Sequence, residues 1–411
     1  MRYFKLIGSF ILILLITTGC SVSSVGSAAS SVDKTSVTED SSTGTTSVSG
    51  SGEINDETGS LTSEQSGALQ DFLNTWYDSL ASLKAGDIAS KLSDAGSSAK
   101  NQAALDYQTA ERKMQKTDLS LTGYQYTLNI TGVEQNDDNT ITVTADEDSV
   151  QNFTAYAGID SEAWGMDHTF VFKNTDGSWK LFSHDSEDSL FQITIGNAPE
   201  DQDAVSWYAQ READLEQDAQ SDTDGRSTQG TDPGDVSVQV GYDRPSALAY
   251  AESLVNDRNP EWGDYTDYDG NCQNFASQVL NAGGIPMDTD GDAIWKWYED
   301  DPDQGSSDYG RSASWTAVND FLEYASTNTG FGLVAAVDAP FYSGDVGDLI
   351  EMGNSDGFEH TVVIANVIKN SSGDTVDYLV DSNTANLRNF PVSAYHYSRQ
   401  ILTRIYGWNM Q

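Results

Sequence analysis

The first apolar-rich stretch of the chain begins near residue 62 with a helical pattern of hydrophobic positions. Large apolar side chains recur there every three or four residues, at Leu69, Phe72, Leu73, Trp76, Leu80 and Leu83. This spacing places them along one face of an amphipathic helix. More helical sequence follows at residues 103–114. The pattern therefore predicts that this part of the chain opens with helices.

After residue 118 the pattern changes from helical spacing to alternation. Apolar and polar residues alternate, with many β-branched and aromatic side chains, in four runs at residues 119–131, 140–144, 168–173 and 179–183. Turn-prone residues separate the runs, and Asp176-Gly177 is typical of a hairpin turn. Helices followed by an antiparallel sheet predict a small α+β domain at residues 62–197.

Two of the four histidines, His168 and His184, belong to this domain. Neither has a cysteine or a closely spaced second histidine beside it in the sequence, so the spacing gives no support for a metal site. We expect both to be surface or half-buried strand residues.

Regular hydrophobic patterning returns at residue 241. It follows an acidic, polar stretch at residues 198–240 that we interpret as a linker. Asp243 and Pro245 are typical of the cap and first turn of a helix. Aromatic residues, glycines and regular apolar spacing return here, and they predict a second folded domain at residues 241–411.

Cys272 lies where a loop becomes a predicted helix. Ala276, Val279 and Leu280 form an apolar stripe after it, and Gly283-Gly284 ends the helix. Free backbone N–H groups and the positive end of the helix dipole favour a thiolate in the first turn. The same N–H groups are suited to hold an oxyanion. A small, buried, inert cysteine is the alternative interpretation.

His360 opens an apolar run at residues 361–365 and follows a glycine-containing loop at residues 353–357. A base at the start of a strand, beside a loop, can face a cleft while its strand packs in the core. His360 is therefore the candidate base. His396 has no such setting, and we expect it to be structural.

The next predicted strand, at residues 376–380, supplies candidates for orienting the His360 imidazole. It ends in polar residues, of which Asp381 and Asn383 alternate onto one face. A polar side chain on a neighbouring strand is what an imidazole needs to hold its tautomer and orientation. Both residues stay open as candidates, with a slight preference for Asp381.

The net charge of the chain limits the kinds of molecule that it is expected to bind. The chain of 411 residues carries 64 acidic and 21 basic residues, a net charge of -43. Such a charge repels nucleic acid phosphates and anionic lipid head groups, so neither is an expected partner.

The N-terminus has the pattern of an export signal. Arg2 and Lys5 precede an apolar run at residues 6–16, and Gly19-Cys20 follows it. An apolar run this short cannot span a hydrocarbon core of about 30 Å, so residues 1–20 are predicted to be a signal peptide. Gly19-Cys20 resembles the cleavage and lipidation point of a bacterial lipoprotein, which makes Cys20 the predicted lipidation site. The expected location is the outer face of a bacterial membrane, or the medium.

Residues 21–61, rich in serine, threonine and glycine, predict a flexible tether. The chain has only two cysteines. If Cys20 carries lipid, Cys272 has no disulfide partner, and a solitary thiol in an exported protein suggests a chemical role.

The region from Tyr242 to Met410 resembles the amidase domain family of bacterial surface proteins, a branch of the papain-like and CHAP-type cysteine hydrolases. The matching motifs are Tyr242-Asp243-Arg244, Asn271-Cys272-Gln273-Asn274-Phe275, Gly283-Gly284, Ser314-Trp315, Gly347-Asp348-Leu349-Ile350, His360-Thr361 and Asn383-Thr384. The family usually has Asp-Cys-Thr-Asn-Phe at the nucleophile and His-Thr after the second strand. Asn271, Gln273 and Asn383 are therefore departures from its pattern.

The resemblance implies a papain-like catalytic domain, so the fold class expected for the whole chain is α+β. It further implies amide hydrolysis through an acyl-enzyme, with Cys272 as nucleophile, His360 as base and the Cys272 N–H in the oxyanion hole. No metal or organic cofactor is expected. Trp295, Trp297 and Trp315 either wall the cleft or pack in the core.

Export and a tether fit a substrate outside the membrane, so we expect cell-wall peptide or amide bonds as the substrate. Only the N-terminal lipid is expected to touch the membrane. A transpeptidase would use the same cysteine and histidine. Two further classes stay open: an inactive surface binding or adhesion protein with a papain-like fold, and a lipoprotein that acts only through its first domain.

Overall fold

The computed structural model describes residues 48–136, 139–186, 189–199, 202–221, 226, 236–266, 270–289, 294–302 and 310–410. Thr46–Gln411 form one compact unit. The predicted signal peptide, Cys20 and most of the predicted tether lie outside the described residues. In the described part of the chain, no helix is both long and apolar enough to cross a membrane.

The first half of the described chain has helices before strands, as the hydrophobic pattern predicts. Its α-helices are α1 (Ser63–Ser82), α2 (Ala95–Met114), α3 (Ser189–Thr194) and α4 (Ala204–Ser221). Its strands are β1 (Ser49–Asn55), β2 (Leu121–Gln135), β3 (Thr140–Phe153), β4 (Ser161–Thr175) and β5 (Ser178–Asp185). A capping box starts α1, because Thr62 and Gln65 each accept a hydrogen bond from the other's backbone N–H.

The second half carries short helices followed by a meander of strands. The helices are α5 (Arg244–Leu254), α6 (Cys272–Ala282), α7 (Ala313–Thr316) and α8 (Val318–Thr327). The strands are β6 (Val240–Gly241), β7 (Gly332–Ala339), β8 (Leu349–Asn354), β9 (Gly357–Lys369), β10 (Thr375–Asn383), β11 (Asn386–Pro391) and β12 (Arg399–Asn409). The mixture of helices and sheet confirms the predicted α+β class.

The described strands join into a single sheet that runs through both halves. Its order is β1-β2-β3-β4-β11-β10-β9-β8-β12-β6, with β5 paired to β4 and β7 paired to β12. The link between the halves is the antiparallel pairing of β4 with β11, where Ala163 lies opposite Leu387. The two halves therefore share backbone hydrogen bonds and one continuous apolar core.

Strand β1 lies inside residues 21–61, where the composition predicts a flexible tether. It pairs in parallel with β2. A Cβ atom on Gly50 would come within 2.4 Å of the Tyr124 ring, and one on Gly52 within 2.0 Å of the Tyr126 ring. The glycines that suggested flexibility are needed here so that the tyrosine rings can lie across the strand. The tether prediction is therefore wrong for β1.

The prediction that His168 and His184 are surface or half-buried is wrong. Both are buried, with exposures of 6% and 5%. Nδ1 of His168 lies 3.0 Å from Nε2 of His184 because β4 and β5 are neighbours. Helix α1 covers this face of the sheet, and its Phe72 ring packs 4.6 Å from the His184 ring. The two histidines are buried because α1, which is distant from them in sequence, covers them.

Helix α4 lies in the stretch that we interpret as a linker, and it packs on α2. The Tyr107 and Tyr208 ring centroids are 6.0 Å apart, and Arg211 donates a hydrogen bond to the Tyr107 hydroxyl. Arg211 also lies beside His396, whose Nε2 is within hydrogen-bonding distance of the Gln192 carbonyl. His396 thus joins α3 and α4 to the sheet.

Candidate active site

Cys272 is the first residue of α6, as the sequence predicts. Its side chain is 6% exposed and packs against Val318, Leu322 and Ile401. The preceding residue, Asn271, makes no side-chain cap for the helix. The carboxamide of Asn271 instead donates to Asn383. The helix start is therefore held by contacts to β10.

The ionisation of Cys272 is decided by burial. Burial raises the pKa of the thiol above its ordinary value of 9.0. Backbone N–H groups of Thr361, Gln273 and Cys272 itself act in the opposite direction, because they favour the thiolate. These N–H groups supply the thiolate-favouring contribution expected at a helix start, but burial outweighs it. The resting state is a protonated thiol.

His360 is the fourth residue of β9, which begins at Gly357 and not at His360 as the sequence predicts, and it is 2% exposed. The rings of Tyr395 and Tyr397 stack near it, with centroid distances of 5.8 and 6.2 Å. Burial lowers the pKa of His360 to about 3, so the imidazole is neutral near pH 7. A neutral imidazole has one nitrogen free to accept a proton.

Ser382 determines which ring nitrogen of His360 is free to accept a proton. Its Oγ lies 3.3 Å from His360 Nε2 and donates its own hydrogen to the Thr384 carbonyl, 2.9 Å away. Because the hydroxyl proton is already used, Oγ accepts from Nε2–H. The free basic nitrogen of His360 is therefore Nδ1.

Asp381 and Asn383, the predicted orienting residues, do not bond to His360. Asp381 Oδ1 accepts from the Asn389 N–H, 2.9 Å away, and burial raises the pKa of Asp381 to about 7. Asn383 Nδ2 donates to the Leu254 carbonyl at 2.9 Å. Alternation along β10 puts both residues on the face opposite to Ser382. Asn383 ties α5 and α6 to the sheet instead.

Cys272 and His360 reach the same end of β9 from different faces. The Thr361 side chain donates to Gln273 of α6 at 2.9 Å, so alternation turns the His360 ring to the other face. The Thr361 N–H, next in the chain after His360, points at the Cys272 sulfur. Among the described residues, no hydrogen bond joins the thiol to the imidazole. The structure brings the pair into one neighbourhood without a direct bond.

The three tryptophans considered as cleft walls are buried in the core. Trp295 and Trp315 stack with centroids 4.5 Å apart, and both are fully buried. Trp315 Nε1 donates to Asn274 Oδ1 at 3.0 Å, and Trp295 Nε1 donates to Ser277 Oγ at 3.1 Å. Trp297 is 5% exposed. Through these two hydrogen bonds, Trp295 and Trp315 hold α6 against the core.

Two other motif residues, half-buried Arg244 on α5 and fully buried Asp348 just before β8, form an ion pair. Arg244 Nη1 lies 2.8 Å from Asp348 Oδ1. The same carboxylate oxygen accepts from the Ile405 N–H at 2.8 Å. This pair joins α5, β8 and β12, so it holds the frame around the site.

Sequence reasoning missed Ser382, Tyr395 and Tyr397. Ser382 lies between the two residues that were considered, and only the register of β10 against β9 brings it to the imidazole. Both tyrosine hydroxyls are close enough to Cys272 for its charge to raise their pKa further, after burial. No group of three or more His, Cys, Asp or Glu side chains suited to a metal ion occurs in the described ranges.

Parts of the chain are similar to known proteins. One relative is the uncharacterized protein YhbB of Bacillus subtilis (strain 168), 33% identical over 129 residues. The match covers 30% of this chain and 37% of the relative's length. No solved structure is significantly similar to the chain. Residues 241–406, which contain Cys272 and His360, match the family described as "Putative amidase domain", and this supports an amidase-type hydrolase.

Proposed function

We propose that residues 241–411 form a papain-like cysteine amidohydrolase that cleaves peptide or amide bonds of the bacterial cell wall. The observation that carries the proposal is the arrangement of Cys272 and His360. The thiol starts α6, and the backbone N–H of Thr361, next to His360 on β9, points at its sulfur, while the imidazole keeps Nδ1 free. The family match over the same residues supports amide bonds as the target.

The proposed reaction requires that substrate binding reshape the N-terminal part of β9, so that the His360 imidazole, which lies on the opposite face of the strand in this structure, reaches the thiol. Nδ1 accepts the thiol proton as the sulfur of Cys272 attacks the amide carbonyl carbon. The Cys272 N–H stabilises the oxyanion. Collapse of the tetrahedral intermediate breaks the C–N bond, and the imidazolium gives its proton to the leaving amine. Water, activated by the same nitrogen, then hydrolyses the thioester and restores the thiol.

Access to the thiol requires the cover over Cys272 to open. Phe358 packs against this cluster, and Asn319 of α8 bonds to both backbone groups of Phe358. The two hydrogen bonds are 2.8 and 3.1 Å long, and they join the start of β9 to α8. Substrate binding would have to replace these contacts.

Export and lipid attachment at Cys20 belong to the same proposal. A signal at residues 1–20 would deliver the protein to the outer face of the membrane, where cell-wall peptides are the abundant amides. This placement rests on the sequence pattern of the N-terminus alone.

The test is incubation with purified peptidoglycan, followed by mass analysis of the released fragments. The wild type is expected to release new amine and carboxyl ends, and Cys272→Ser, of nearly equal volume, is expected to release none. His360→Gln is expected to release none either. Its matched control is His396→Gln, which should release fragments, because only His360 belongs to the proposed pair. Undiminished release by Cys272→Ser would refute the mechanism.

A second candidate is an inactive surface binding or adhesion protein with the same fold. The observation that favours it is the buried, protonated thiol without a bond to His360. A cysteine-directed acyl probe distinguishes the two, because an enzyme forms a covalent adduct at Cys272 that depends on His360. An equal adduct yield in the wild type and in His360→Gln would favour the binding protein.

Adding an amine acceptor to the peptidoglycan assay separates hydrolysis from transpeptidation.

A further inference from the structure

A cavity lies in the first half of the chain, outside the amidase match. It has a volume of about 50 Å³ and is lined by α1, α2, α3 and the strands β3, β4, β5 and β11. Most of its wall is apolar and includes Phe72, Met166 and Phe191, whereas Arg112 and Glu147 also line it. Apolar cavities with a few convergent polar groups are typical of small-molecule sites.

Arg112 is the unusual member of this wall. Its side chain is buried, with an exposure of 3%. No carboxylate pairs with it among the residues that the structure describes, and its Nε has no hydrogen-bond partner there. Gln151 Oε1 accepts from both Nη atoms, but at 3.3 and 3.4 Å. Charge-assisted hydrogen bonds are usually shorter, at about 2.7–2.9 Å.

The other ionisable groups of the cavity do not supply the missing negative charge. His184 Nδ1 lies 2.7 Å from Asn101 Oδ1, and the Asn101 amide nitrogen donates to the His184 carbonyl. The amide orientation is thereby set, so His184 Nδ1 carries a hydrogen and the neutral ring accepts at Nε2 from His168 Nδ1–H. His168 Nε2 then faces Glu147 Oε2 at 3.2 Å, an ion-pair distance without hydrogen-bond alignment.

The Glu147 carboxyl is therefore directed at His168 and not at Arg112. Tyr77 adds a neutral hydrogen bond from its hydroxyl to Glu147. Among the described residues that line the cavity, Arg112 is thus the charged group without a carboxylate at ion-pair distance; it lies over the Phe153 ring, and burial raises the pKa of its neighbour Glu111 to about 8, which leaves that carboxyl neutral near pH 7. A buried charge without a partner is strongly unfavourable, and an anion would remove that cost.

We propose that this cavity binds a short-chain monocarboxylate, with its carboxylate on Arg112 and its alkyl part against the apolar wall. The volume sets the size of the ligand, because about 10–15 Å³ of cavity volume of this kind holds one water, so only a few heavy atoms fit. The single positive charge calls for a monoanion. The apolar wall favours a molecule with an alkyl part over a fully hydrated inorganic anion.

The test is NMR of the full chain labelled with ¹³C at the methionine methyl groups. Met166 lines the cavity, and its resonance is assigned with Met166→Leu. Sodium propionate is expected to shift the Met166 methyl resonance saturably, whereas sodium chloride at equal ionic strength is not. Arg112→Met should weaken propionate binding at least about tenfold, since it removes the charge-assisted hydrogen bonds.

Lys113→Met is the matched control, because Lys113 is the exposed neighbour of Arg112 on α2. It should bind propionate like the wild type. No saturable shift in the wild type, an equal shift with chloride, or equal binding by Arg112→Met would overturn the proposal. If Arg112→Met does not fold, the propionate and chloride titrations of the wild type still decide the outcome.

Discussion

Replacing Glu351 with glutamine should make the protein less sensitive to alkaline pH. Glu351 lies on β8 opposite Thr361 and is fully buried. Its Oε2 accepts from Thr403 Oγ1 at 2.8 Å, and within the described ranges its Oε1 has no hydrogen-bond partner. Burial raises the pKa of Glu351 from an ordinary value of 4.5 to about 8.

The sign of the pH effect follows from these two pKa values. The unfolded chain loses this proton near pH 4.5, whereas the folded protein keeps it until about pH 8. Between these values the folded state binds more protons, so the free energy of unfolding falls as pH rises. One group contributes a slope of up to about 1.4 kcal/mol per pH unit, and the whole difference corresponds to about 5 kcal/mol.

The measurement is urea unfolding at several values between pH 5 and pH 8, followed by tryptophan fluorescence. Glu351→Gln keeps an acceptor for Thr403 and has no proton to lose. The wild-type free energy of unfolding, relative to that of this variant, should therefore fall by about 4 kcal/mol across the range. Asp381 and Glu111 also have raised pKa values and are present in both proteins, so their effects cancel.

The control is Glu323→Gln, which changes an exposed glutamate on α8. Its stability curve should run parallel to that of the wild type. Parallel curves for wild type and Glu351→Gln would refute the reasoning, because they would mean that Glu351 ionises alike in the folded and unfolded chain.

Two further predictions concern the site and the edge of the sheet. Ser382→Ala should lower kcat for amide cleavage about tenfold or more with little change in KM, because it leaves His360 Nε2–H without its acceptor; an unchanged kcat would contradict this. Gly52→Ala should lower the free energy of unfolding by about 1–3 kcal/mol, because the new Cβ would overlap the Tyr126 ring. Gly67→Ala, at a helical position with open space around it, should instead be neutral or stabilising in the same denaturation assay.

Local sequence signals were sufficient for several features of this protein. Hydrophobic spacing located α1 and α6, and the change to alternation located β2 to β5 but not β1. Cys272 at a helix start was predicted correctly, because caps, glycines and apolar periods act within a few residues, whereas β9 begins at Gly357, three residues before the predicted strand start at His360. The α+β class followed from the order of these elements.

Tertiary structure decided which side chains meet. Ser382 replaces Asp381 and Asn383 at the imidazole because strand register cannot be read from either strand alone. His168 and His184 became a buried pair only when α1 covered two neighbouring strands, and burial made Cys272 a thiol despite its place at a helix start. Register, burial and packing between distant segments depend on the whole fold, whereas helix starts and strand periods are properties of short stretches of sequence.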